Sequence, residues 1–372
     1  MIVGVPKETK DHEYRVGVIP ATAAELMRRG HRVLVERGAG IGAGLTDAAY
    51  EEAGAELLDS GDQVLDRAEL IVKVKEPLAR ERERLKRGQV LFTYLHLAAD
   101  PKQAEELIAS GVTAIAYETV TGPGGTLPLL MPMSEVAGRM APQVGAYCLE
   151  KVTGGRGVLL GGVPGVPPGD VLILGSGTVA TNAALIAIGL GANVVMAGEN
   201  MDQLRLATAR FGSQLRTVFS ARQAVETLCR RADLVIGAVL VPGAAAPKLV
   251  SAETVKAMKP GSVIVDVSID QGGMAETSRP TTHSHPTYVV DEVVHYCVTN
   301  MPGAVARTST FALSNVTAPW VLIIADKGVA RALSAHPHLR DGLNVHDGLV
   351  THKAVAEALH LPYVPASEAL KA

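Results

Sequence analysis

Aromatic side chains are scarce in this chain of 372 residues, with one Trp, four Phe and eight Tyr making up 3%. A chain that is nevertheless 47% hydrophobic must build its core from Val, Leu, Ile and Ala, and a charged content of 20% argues against disorder. Cysteine is scarcer still. Cys148, Cys229 and Cys297 are far apart, odd in number and contain no CxxC pair, which argues against a disulfide framework or a zinc site. The same scarcity fits a reducing, cytoplasmic setting. Charge of one sign is also missing: a formal net charge of -3 leaves no electrostatic footprint for nucleic acid or anionic lipid. The opening residues, MIVGVPKETKDHEYR, contain no apolar core of a secretory signal.

Long uncharged runs are rare, and the one from Val171 to Gly198 has the length of a membrane span. It is broken by Gly175, Gly177, Gly189 and Gly191 and divides into VLILG, TNAALIAIGLG and NVVMAG. That pattern reads as a buried strand–helix–strand unit, because parallel strands are covered on both faces. No membrane segment is assigned.

Glycine, by contrast, is plentiful, at 38 residues, and β-rich runs alternate with helical ones along the whole chain. IVGVPKE, HRVLVERG, ELIVKVK, QVLFTYLH and TAIAYETV form a first series, and VLILG, NVVMAGE, RTVFS, DLVIGAV and SVIVDVSI a second, followed by YVV and HYCVTN. This predicts an α/β protein with two Rossmann-like parallel-sheet domains. The stretch from Met133, with Ser134 as N-cap after Pro132, is read as a helix linking them. TSTFALSNVTAPWVLIIADKG is a long helix that Pro319 should kink or divide. The C-terminal segment is expected to pack back on the first domain. The nucleotide domain, residues 131–305, is thus inserted into a discontinuous substrate domain, residues 1–130 with 306–372.

Gly175-Ser176-Gly177-Thr178-Val179-Ala180 fits G-x-G-x-x-A after a strand and before a helix. Gly175 permits the tight turn, Gly177 lets the backbone approach a pyrophosphate, and Ala180 lets helix and strand pack closely. The helix N-terminus then favours the anion. About 20 residues on, Glu199 is the only acid at the end of the second strand; it reads either as a ribose contact or as a solvated turn residue. No basic residue follows before Arg205, which favours NAD over NADP.

Further polar residues end strands, where open α/β sheets bind ligands. Arg15 follows the first strand, Lys75 ends VKVK, His96 ends QVLFTYLH and Glu118 lies in AYETV. Arg15, through a bidentate fork, and Lys75, as a point charge, suit a substrate carboxylate. His96 suits proton transfer near neutral pH. Asp270 lies at the exit of SVIVDVSI, whereas Asp266 reads as a buried structural group. His283, His285 and His295 match no standard zinc spacing, and no metal is assigned.

GVPKETKDHEYRVGVIPA, MPMSEVAGRM, VLILGSGTVATNAA, VIVDVSIDQGG, TSRPTTHS, HYCVTNMPGAV and RTSTFALSN, in this order, resemble the alanine dehydrogenase/pyridine nucleotide transhydrogenase family from end to end, on its dehydrogenase branch. The resemblance implies an NAD-dependent oxidoreductase interconverting L-alanine with pyruvate and ammonia. Arg15 and Lys75 would hold the substrate, and His96 and Asp270 would be the acid/base pair. Ser134, Gly177, Ser220, Val239, Leu240, Val267, Ser268, Ile269, Asp270, Arg279, Val298, Thr299, Asn300 and Met301 would line the NAD site. A homohexamer is also implied. The alternatives are an NAD-binding component of a transhydrogenase and an opine- or saccharopine-type amine dehydrogenase. The chain departs from the family where Gly198 replaces an aspartate and Gln203 a residue that is often basic.

Overall fold

The computed structural model describes residues 1–239 and 246–371. In chain order the strands begin with β1 (Ile2–Val5), β2 (Arg32–Glu36), β3 (Glu56–Leu58), β4 (Leu70–Val72), β5 (Val90–Thr93) and β6 (Thr113–Ala116). Then come β7 (Asp170–Leu174), β8 (Asn193–Gly198), β9 (Leu215–Phe219), β10 (Leu234–Gly237) and β11 (Val263–Asp266). The last are β12 (Thr287–Val290), β13 (Val293–Tyr296), β14 (Leu343–His346) and β15 (Leu349–Val350). The chain forms two compact units: Met1–Met133 with Gly303–Ala372, and Ser134–Pro302.

The first unit holds a sheet of order β15-β14-β6-β5-β4-β1-β2-β3. Its strands from β3 to β6 are parallel, and β14 and β15 add antiparallel pairs at one edge. Every residue of β4, β5 and β6 is buried, as expected of parallel strands covered on both faces. The second unit holds a sheet of order β12-β13-β11-β10-β7-β8-β9, parallel except for the β12–β13 pair. The uncharged run from Val171 is its β7–helix–β8 unit, with the helix at Thr178–Gly189.

Two local expectations are corrected. Ser134 is not an N-cap, because the helix begins upstream and runs Met131–Cys148. Pro132 sits in its first turn, where a missing N–H costs nothing. Pro319 does not divide its helix, which is continuous over Ala306–Lys327. Leu313, Ser314 and Thr317 before the proline and Val321 and Ile324 after it are all buried, so packing spans the lost hydrogen bond. Segment Met301–Lys327 is long and apolar enough to cross a membrane on length and composition alone. Its buried side is partly polar and bonded within the first unit, Thr310 Oγ1 accepting from Val16 N and Ser314 Oγ meeting Thr22 Oγ1.

Candidate active site

In an open parallel sheet the ligand site lies past the carboxyl ends of the strands, where the strand order reverses. In the first unit that point lies between β1 and β4. Arg15 lies beyond β1 and Lys75 beyond β4, with His96 and Glu118 following β5 and β6. The loop carrying Arg15 presses on the end of β4: a Cβ on Gly17 would stand 2.6 Å from Val72 O.

Buried carboxylates shape these strand ends. Glu8 accepts from the N–H groups of Val74 at 2.6 Å and Lys75 at 3.2 Å, taking them out of the ladder. Its second oxygen meets Lys73 Nζ at 3.1 Å, and Lys73 also donates to Glu81 at 2.8 Å. Lys73 is 1% exposed. Burial opposes its charge, but Glu8 and Glu81 hold its pKa above the ordinary lysine value. Glu118 repeats the device on β5, accepting from Leu95 N at 3.2 Å and His96 N at 2.6 Å. Lys75 and His96 therefore stand past their strands, which end at Val72 and Thr93, rather than closing them. His96 adopts a left-handed backbone, φ 50°, which turns its exposed ring outward under the parallel ring of Tyr94, 5.9 Å away. Its Nδ1 is 4.0 Å from Glu118 Oε1.

Arg15 is buried beside Glu13, with Nε and Nη2 donating to its two oxygens at 2.7 and 2.6 Å. Burial opposes the charge, yet this paired carboxylate raises the guanidinium pKa above its usual value. One edge of the fork is thus committed to Glu13. The other arm, Nη1, lies 3.0 Å from Met133 Sδ.

In the second unit the order reverses between β7 and β10. Gly175 follows β7 at φ 124°, and a Cβ there would stand 2.3 Å from Ala238 O, so only glycine fits. Gly177 is the N-cap of the helix Thr178–Gly189, has open space where a Cβ would be, and supplies no side-chain cap. The first N–H groups of that helix are thereby left for an anion. Val239 N donates to Ser268 Oγ at 2.9 Å, joining two of the expected lining residues. Ser220 Oγ is buried just past β9 with no partner among the described residues, and a ligand hydroxyl would satisfy it. Leu240 lies outside the described residues.

Asp266 is fully buried, and its oxygens accept from Ser268 N, Met274 N and Ser278 Oγ. It ends β11 and starts the 3₁₀ turn Val267–Gln271, so Asp270 lies exposed on that turn and not at a strand exit. Arg279 is exposed and stacks its guanidinium over Tyr288, 4.3 Å from the ring centre. Val298 and Met301 are buried, Thr299 is exposed, and Asn300 O accepts from or faces His283 Nε2 at 2.8 Å. Glu199 is exposed just past β8. Among the described residues no three His, Cys, Asp or Glu side chains group as metal ligands.

Comparison with known proteins matches residues 4–137 to "Alanine dehydrogenase/PNT, N-terminal domain" and residues 141–353 to "Alanine dehydrogenase/PNT, C-terminal domain". The chain belongs to the alanine dehydrogenase/PNT family. It is 58% identical over 367 residues to the alanine dehydrogenase of Halomonas elongata, covering 99% of each chain. To that of Bacillus subtilis it is 57% identical over 372 residues, covering 100% of this chain and 98% of the other. Among solved structures, an L-alanine dehydrogenase superposes with a TM-score of 0.94 at 51% identity, over 97% of this chain and 99% of that one. A transhydrogenase from Sinorhizobium meliloti shares the fold, with a TM-score of 0.81 at 24% identity over 95% and 100%.

Sequence reasoning within this family missed Glu8, Glu13 and Lys73, and gave Glu118 no role. The available signal was the two glutamates in KETKDHE, the second of them two residues before Arg15. Nothing in VKVK distinguishes buried Lys73 from partly exposed Lys75.

Proposed function

We propose that this protein is an L-alanine dehydrogenase, catalysing reversible, NAD-dependent oxidative deamination of L-alanine to pyruvate and ammonia. The observation that carries the reading is the ionic cluster at the switch point of the first unit, in a chain that matches alanine dehydrogenases along its whole length. A small carboxylate substrate needs fixed cations, and Glu13 and Glu8 fix Arg15 and the Lys75 turn.

Arg15 and Lys75 hold the carboxylate and carbonyl of pyruvate, or the carboxylate of alanine. The turn Gly175–Ala180, with Ser134, Glu199, Ser220, Val239, Val267–Asp270, Arg279 and Val298–Met301, would hold NAD. When bound, NAD supplies a hydride acceptor for the Cα–H of alanine. Water then adds to the imine carbon, the carbinolamine loses ammonia, and pyruvate is left. His96 and Asp270 move the protons in these steps, each worth about 10²–10⁴-fold in rate. The exposed His96 ring, held by Tyr94 and Glu118, is suited to exchange protons with substrate and solvent. The protein is further read as a homohexamer of the cytoplasm. Three buried cysteines without a disulfide support a reducing compartment.

Alanine-dependent NADH formation by the purified protein tests the reading. The expected result is stoichiometric pyruvate and ammonia. Hydride exchange between two nucleotides without turnover of alanine would replace it with a transhydrogenase component, and turnover only of larger secondary amines with an opine-type enzyme.

A further inference from the structure

Rossmann folds that select NAD place a carboxylate at the end of the second strand, where it binds the ribose hydroxyls and repels a 2′-phosphate. Here β8 ends on buried Gly198. The space for a side chain is already taken. A Cβ on Gly198 would lie 2.8 Å from Ser176 Oγ and 2.9 Å from Ser176 Cβ, well inside ordinary van der Waals separation. Ser176 is the middle residue of the phosphate turn, and its hydroxyl donates to Gln203 Oε1 at 2.8 Å. Ser220 N donates to Gly198 O at 3.1 Å, and Ser220 Oγ is a buried hydroxyl with no partner among the described residues. Neutral groups therefore stand where a carboxylate is expected.

The nearby charges do not replace it. Asp202 is paired with Arg205 at 2.6 Å. Glu199, one residue past the strand end, is exposed, so water and salt screen its field, and it can meet a ribose hydroxyl without strongly repelling a 2′-phosphate. The absence of a basic residue before Arg205 limits what a 2′-phosphate gains, but the missing carboxylate removes what it would lose.

We propose that Gly198, Ser176 and Gln203 form a neutral adenosine-ribose subsite that admits a 2′-phosphate, so that NADP(H) binds nearly as well as NAD(H). This rests on reading Gly175–Ala180 as the nucleotide turn. The test is direct binding: titrate the full-length protein with NADH and, separately, NADPH, following nucleotide fluorescence in the absence of alanine and pyruvate. The two dissociation constants should agree within about tenfold. The double variant Ser176→Gly/Gly198→Asp restores a carboxylate and clears the space for it. It should bind NADH through the ribose hydroxyls and shift the affinity ratio by about a hundredfold or more against NADPH. Retained NADH binding shows that this variant is folded, and if it fails to fold, the wild-type ratio alone decides. A wild-type preference for NADH above about a hundredfold overturns the neutral subsite. If Glu199→Gln abolishes that preference, the selecting carboxylate is Glu199. Binding of neither nucleotide overturns the nucleotide-turn reading itself, an outcome distinct from selective binding of NADH.

Discussion

The two sheets share one central strand order, β3-β2-β1-β4-β5-β6 in the first unit and β9-β8-β7-β10-β11-β13 in the second. Each therefore has its switch point beside its first strand. The residues there have nothing else in common. In the first unit they are paired acids and bases, all buried: Glu8, Glu13, Arg15 and Lys73 are each no more than 6% exposed. In the second they are glycines, backbone amides and small hydroxyls: Gly175, Gly177, Ser176, Val239 and Ser268. The shared topology selects where a ligand can sit, and the loops select its chemistry. Buried ion pairs lose in desolvation much of what they gain in attraction, so stability is a poor reason for the first set. Holding Arg15 and the Lys75 turn against a small carboxylate is a better one. The second set offers N–H groups and close approach, which suits a pyrophosphate.

The sharpest way to break this contrast is to separate turnover from nucleotide affinity. His96→Ala should lower kcat by about 10²–10⁴-fold while NADH binding and the unfolding temperature stay unchanged. Asp270→Asn, in the second unit and on the turn read as lining the NAD site, should lower kcat by a similar factor; a near wild-type rate in either purified variant removes that residue from the chemistry. Next in size is Lys73→Met, which leaves buried Glu8 and partly exposed Glu81 without their cation. Urea denaturation should show a loss of about 3–5 kcal/mol, the usual consequence of breaking a buried pair on one side. A loss below about 1 kcal/mol would mean that water reaches the carboxylates and that the cluster is not the dry scaffold described above. Gly177→Val should reverse the pattern seen for His96. Its φ is -81°, and a Cβ there meets nothing within 4 Å, so the fold should hold at a cost of about 1 kcal/mol for placing valine at a helix N-cap. NADH affinity should fall by about tenfold or more, because the side chain fills the space of the pyrophosphate. Unchanged affinity would detach the turn from the nucleotide.

Much of this was legible in the sequence, for identifiable reasons. Strand–helix alternation reports local periodicity, and it gave both sheets. The Gly175–Ala180 turn is a local motif whose demands, a positive φ and a close backbone approach, are met within six residues. What stayed hidden depends on partners far along the chain. Glu8 takes the N–H groups of Val74 and Lys75 from 66 and 67 residues away, and Glu118 reaches back 22 residues to His96. These bonds shorten β4 and β5 and move Lys75 and His96 off their strands. Pro319 likewise follows a local rule that packing of a buried helix face overrides.

The smallest effect concerns acid stability, and it again sets the two units against each other. His352 in the first unit and His295 in the second both have pKa values lowered by burial. Each is therefore neutral when folded, while the unfolded chain regains a histidine with its ordinary pKa of about 6.5. Below that pH the unfolded state binds protons that the folded state does not, so stability is full at neutral pH and falls on acidification. One such group gives a slope of at most about 1.4 kcal/mol per pH unit. The two sites are differently prepared for the proton. His295 uses Nδ1 toward Val293 O at 2.9 Å and Nε2 toward Thr277 Oγ1 at 2.8 Å, whereas His352 Nδ1 is buried without a partner and feels the carboxylates of Glu118 and Asp341. A glutamine at 295 can keep part of that hydrogen bonding and cannot titrate, so His295→Gln should flatten the fall in denaturation midpoint between pH 7 and pH 5. His352→Gln should flatten it less, because the two facing carboxylates favour the proton that burial opposes. Equal slopes in both variants and in wild type would assign the fall between pH 7 and pH 5 to groups other than these two histidines; paired carboxylates such as Asp62 and Asp326, whose pKa values their arginine and histidine partners hold low, lose their contribution only below the ordinary carboxylate pKa of about 4.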